Sequence, residues 1–124
     1  MQDQTYAQMS SEELRSRLKE FIKEYTDWVG KSFELSPDWE EEINYLSFIR
    51  NDIHDVIIEI QARGEKLSTE LKQVREIDAD WQEWIFEQGK VGELDIARTG
   101  KSKNLWWYWV DQLQNLSEED LKTL

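Results

Sequence analysis

The chain has no cysteine, one proline, one histidine and five glycines among 124 residues. Without cysteine there is no disulfide, no thiolate metal site and no cysteine nucleophile. A small fold that manages without disulfides carries no mark of an oxidising compartment, so a cytoplasmic location is expected. With so little proline and glycine, long stretches contain no breaker. That favours helices over a turn-rich β architecture. Long apolar runs are missing as well. The longest, Leu105 to Val110, has six residues, where a membrane span needs roughly 18. Met1-Gln2-Asp3-Gln4 lacks the basic-then-apolar pattern of a signal peptide. Lipidation would need a cysteine, or a glycine where Gln2 stands. No membrane partner is expected.

Basic charge is in deficit: 15 Lys and Arg stand against 27 Asp and Glu, a formal net charge of −12. Such a field repels a phosphate backbone, so nucleic acid is disfavoured as a partner and a basic protein is favoured. What the chain has in quantity is rings: seven Trp, four Tyr and four Phe. A solvated tail has no use for so many, so the chain has a core to fill. Its length suits one domain.

Apolar periodicity near 3.6 residues marks the helices. After a flexible polar arm over residues 1–9, Ser10 or Ser11 can cap a first helix, and Ser10-x-x-Glu13 has capping-box spacing. Leu14, Leu18, Phe21, Ile22, Tyr25, Trp28 and Val29 share its inner face, and Gly30 is its expected end. Ser36-Pro37 opens a second helix that stops at Gly64, with Trp39, Ile43, Leu46, Ile49, Ile53, Val56, Ile57 and Ile60 inward. A third runs from Leu67 or Ser68 to Gln88, ending at Gly89. Leu67, Leu71, Val74, Ile77, Trp81, Trp84, Ile85 and Gln88 lie on or beside its inner face. Residues 89–104 read as a loop with several basic residues. A fourth helix is expected over 104–116, with Leu105, Trp106, Trp109, Leu113 and Leu116 on one face and Trp107 roughly opposite. Ser117 then caps a short last turn. The expected fold is all-α: one domain over residues 10–124, an antiparallel four-helix bundle with a short C-terminal helical turn.

Three groups of residues could carry function. The first is Arg50-Asn51-Asp52-Ile53-His54, an Arg and a His one turn apart on the flank of the second helix. This resembles the HEPN domains, small helical nucleases with an Arg and a His on one helix. The spacing here is shorter than theirs. The resemblance implies Arg50 and His54 as catalytic residues. The plainer reading is a boundary histidine bonded to a neighbouring carboxylate. The second group is acidic. Glu40-Glu41 and Glu41-Glu42 lack the third carboxylate of an EExxE magnesium cluster, because Asn44 and Tyr45 stand at the required positions. A dipole-favoured first turn explains these residues, and no metal ligand set is assigned. Gly100-Lys101-Ser102 likewise lacks the first glycine of a phosphate loop, and no cofactor is expected.

The third group is a surface. Glu41, Tyr45, Phe48, Asp52, Asp55 and Glu59 run along the outer side of the second helix, carboxylates flanking two rings. Trp107 falls off the inner face of the expected fourth helix. Exposed rings with an acidic rim suit a basic protein partner. The function expected is therefore a non-enzymatic protein–protein interaction module: an inhibitor, an immunity-type protein or an adaptor. The alternatives are a small helical hydrolase or nuclease using Arg50 and His54 or a carboxylate-bound Mg²⁺, and a bundle that only self-associates.

Overall fold

A computed structural model describes residues 6–32, 40–88 and 100–124, apart from the side chains of Ser32 and residues 40–42. Several expected features lie outside these residues: the Ser36-Pro37 start, Trp39, the Gly89 stop, the loop up to residue 99 and the Glu41 side chain. The fold is all-α. Three long helices pack together, α1 (Ser11–Ser32), α2 (Glu40–Ala62) and α3 (Ser68–Gln88), and a C-terminal segment of short turns closes on them. Among the described residues there is no strand, and no helix is long and apolar enough to cross a membrane.

The α1 start is the one its sequence implies. The Glu13 amide donates to Ser10 Oγ at 3.1 Å, which satisfies one of the free N–H groups of the first turn. Gly30 does not end α1, which continues to Ser32. A glycine inside a helix costs only about 1 kcal/mol relative to alanine, so continuation is tolerated. Leu14, Leu18, Ile22, Tyr25 and Val29 are buried; Phe21 and Trp28 are half-buried. The α2 end is a glycine stop. Gly64 takes a φ of +79°. Its N–H donates to the Gln61 carbonyl at 2.9 Å, and the Glu65 N–H reaches the Ile60 carbonyl at 3.4 Å. A left-handed residue at this position is what lets a helix close its last carbonyls, and glycine adopts it without steric cost.

Contacts between ends fix the directions. Near the start of α1, Arg15 bonds Glu65, just beyond the end of α2. Near its other end, Trp28 meets Tyr45, early in α2. Those two helices therefore run antiparallel. Arg15 also meets Glu70, early in α3, and Tyr25 meets Trp81 further along, so α3 runs parallel to α1 and antiparallel to α2.

The expected fourth α-helix is replaced by two 3₁₀ segments, Trp106–Tyr108 and Val110–Asn115. Trp109 (φ −127°, ψ 28°) and Gln112 (φ −137°, ψ 26°) are not helical. The reason is burial. Trp106 packs on Trp81 of α3 while Trp107 packs on His54 and Arg50 of α2, so this segment is buried on two sides and not along one α-helical stripe. Breaks at Trp109 and Gln112 let Trp106, Trp107, Tyr108, Val110 and Leu113 all enter the core. Ser117 then caps a four-residue α4 (Glu118–Leu121) through a capping box with Asp120. At the other terminus, the arm expected to be flexible is packed from Tyr6 onward: Tyr6–Gln8 form a 3₁₀ turn and Met9 is buried.

Candidate functional site

Two regions of α2 mix charge with rings, and they face opposite ways. The inner one is built around Arg50. This residue was expected on the flank beside His54, but it is 0% exposed. Its Nε and Nη2 donate to the two carboxylate oxygens of Asp78 on α3 at 2.8 and 3.0 Å, a bidentate pairing. Tyr25 of α1 donates its hydroxyl to the same carboxylate at 2.6 Å. Burial pushes the Asp78 carboxyl above its ordinary range, and the Arg50 charge opposes that shift. The guanidinium lies 4.3 Å from the Trp107 ring and 5.7 Å from that of Trp106, a cation–π contact in a dry setting.

The C-terminal segment is tied to this group through its backbone. Thr123 offers its carbonyl to Arg50 Nη2 and to Trp106 Nε1, each at 3.2 Å. Gln82 Nε2 donates to the Leu121 carbonyl at 2.9 Å. His54 Nδ1 lies 2.8 Å from the Leu124 carbonyl oxygen, and its ring packs 5.0 Å from Trp107. The histidine is thus a boundary residue as expected, with the Leu124 main-chain oxygen as its partner. Trp107, expected to stand off the core, is 0% exposed and donates its indole N–H to Asn51 at 3.1 Å. It is therefore not part of an exposed surface. The whole cluster joins α1, α2, α3 and the C-terminal segment.

The outer region keeps part of the expected set together. Phe48 is 53% exposed and Tyr45 41%. Tyr45 leans on the α1 seam: its hydroxyl donates to Glu24 and its ring meets Trp28 edge-on at 5.3 Å. Glu59 is held by Arg63 at 3.0 Å. Asp52, half-buried, accepts from the Tyr6 hydroxyl at 3.3 Å. Burial and that carboxylate push the Tyr6 phenol up to about 12. Asp55 accepts from the Asn51 amide at 3.4 Å. Both carboxyls are shifted above the usual range, chiefly by partial loss of water. For Asp55 the nearby His54 and Lys101 pull the other way. Phe48, Asp52 and Asp55 therefore form one patch. Ile58, 51% exposed and three residues beyond Asp55, extends it. Ile58 is absent from the residues that the sequence pattern singles out. Its position off the inward stripe was the available signal.

Among the described residues no group of three or more His, Asp or Glu is placed to hold a metal ion. A shallow groove between α1 and α3, with Ile22 at its floor, is edged by Lys19, Lys23, Asp27 and Glu70. Charges of both signs line it, so no single ligand charge is selected. Set against family models, curated proteins and solved structures, the chain matches none.

Proposed function

We propose that the protein is a non-enzymatic interaction module that binds another protein through the outer face of α2. The observation that carries this reading is Phe48: a large ring, more than half exposed, in the middle of a carboxylate-lined helix face. Exposed aromatic anchors within a polar rim are the usual composition of binding surfaces. The competing nuclease reading loses its residues to the fold. A guanidinium that is fully buried, paired with Asp78 and stacked on Trp107 has no face left for a phosphate. The net charge of −12 points the same way, since it repels nucleic acid and attracts basic proteins. An inhibitor, an immunity-type protein or an adaptor would use such a face.

Capture from a native lysate tests the reading, with wild type and Phe48→Ala as baits, at about 0.1 M and 1 M salt, where the screening length falls from about 10 to 3 Å. The expected result is a partner retained by wild type and lost by a folded Phe48→Ala. A set of captured proteins that Phe48→Ala leaves unchanged would contradict it.

A further inference from the structure

We infer that the outer face of α2 receives a helical segment of a basic protein, whose cationic side chains meet Asp52 and Asp55 while apolar side chains at either end cover Phe48 and Ile58. This rests on the interaction reading above and names the kind of partner. Phe48, Asp52, Asp55 and Ile58 follow one another at intervals of four, three and three residues. Each step reaches the next turn, so the four make one slanting ridge, about 15 Å long at about 1.5 Å per residue. Its order is apolar, acidic, acidic, apolar.

Asp52 and Asp55 are the carboxylates of this face, among its described side chains, that no ion pair reaches; His54 and Lys101 lie near Asp55 without pairing with it. Glu59 has Arg63. Asp52 and Asp55 accept from neutral donors, the Tyr6 hydroxyl and the Asn51 amide. Both have already lost part of their hydration, as their raised carboxyl pKa values reflect. A cation arriving there meets carboxylates whose desolvation is partly complete, which strengthens the pairing. The occupant is helical because α2 offers no free backbone. Its mid-helix N–H and C=O groups bond within the helix, so an extended segment gains no ladder, whereas a second helix can lay a side-chain stripe along the ridge. The occupant is basic by charge complementarity with the ridge and with the net charge of −12. A second copy of this chain would bring the same negative field and is disfavoured.

The probe is a labelled, helix-forming alanine-based peptide with leucine and arginine on one face in the matching order. A control peptide carries glutamate for arginine. Fluorescence anisotropy with the full chain gives affinity. The arginine peptide is expected to bind. The glutamate peptide should bind at least about tenfold more weakly, and Phe48→Ala and the double variant Asp52→Asn/Asp55→Asn should each weaken the arginine peptide by about the same factor. Asp52→Lys/Asp55→Lys should reverse the preference between the two peptides, a gain that misfolding cannot produce. Equal binding of both peptides overturns the inference. So does arginine-peptide binding that ignores these variants, as it would if net charge drew the peptide to Phe86 and Glu83 on α3. So does a Phe48-dependent dimer of the chain without peptide binding. A lysate partner that depends on Phe48 but resists high salt would leave the interaction reading standing and remove the basic helix. If neither partner nor peptide depends on Phe48, both fall.

Discussion

Arg50 and Asp52 stand two residues apart on α2 and meet opposite fates. Arg50 lies in the core, its charge matched by Asp78 and its plane covered by Trp107. Asp52 lies at the rim, half-buried, its shifted carboxyl bonded by a tyrosine. Each belongs to a group that mixes charges and rings. The inner group draws partners from every long helix and the C-terminal segment, and leaves Arg50 Nη1 and Trp81 Nε1 as its buried donors without an acceptor among the described residues. The outer group is open, with Phe48 and Ile58 about half exposed and, among the described residues, no ion pair reaching Asp52 or Asp55. Residue type alone does not tell the packed group from the open one in this helix. What separates them is whether the chain itself supplies the partners.

The largest effect should come from opening the inner group. Arg50→Ala leaves the Asp78 carboxylate buried without its counter-charge and should destabilise the fold by about 3–5 kcal/mol in urea unfolding. Trp107→Ala removes a fully buried ring, the cover of Arg50 and the donor to Asn51. It should cost a similar amount, about 3–5 kcal/mol. A loss under about 1 kcal/mol, as for an ordinary surface change, would show that the ring is exposed in solution.

Effects at the outer group should be small, and one of them carries a sign that changes with pH. The folded state raises the Asp55 carboxyl above its ordinary value. It therefore holds that proton more tightly than the unfolded chain does, and stability from this group falls as pH rises through the raised value. Asp55→Asn should thus stabilise the fold slightly at neutral pH, by less than about 0.5 kcal/mol at so exposed a position. The gain should vanish in melts below about pH 3.5, where the carboxyl is neutral in both states. A gain that persists there would mean that lost charge is not its cause. Smallest of all, Phe48→Ala should leave stability within about 0.5 kcal/mol of wild type while abolishing partner capture.

Much of the fold could be read from local pattern. The inward stripes of α1 and α2, the Ser10 cap and the Gly64 stop each depend on residues within one or two turns of one another, and periodicity and capping chemistry report on that range. The outer patch was legible for the same reason: Phe48, Asp52 and Asp55 fall off the stripe. What escaped depends on distant partners. Arg50 and Asp78 are 28 residues apart. Each looks like an ordinary charged flank until the other is known, and Asp78 was absent from the inward face expected of α3. Residues 104–116 failed for a related reason. Their local pattern suits an α-helix, but the core beside α2 and α3 takes Trp106, Trp107 and Tyr108 together, and burial of adjacent rings overrides a helical register.

On the proposed reading the two faces of α2 divide the work, the inner side holding the fold and the outer side left for a partner. Its most direct test is urea unfolding of Arg50→Ala and Phe48→Ala side by side. A loss of about 3–5 kcal/mol is expected for the first and no more than about 0.5 kcal/mol for the second. Comparable losses for the two would contradict it, because Phe48 would then be part of what holds the helices together.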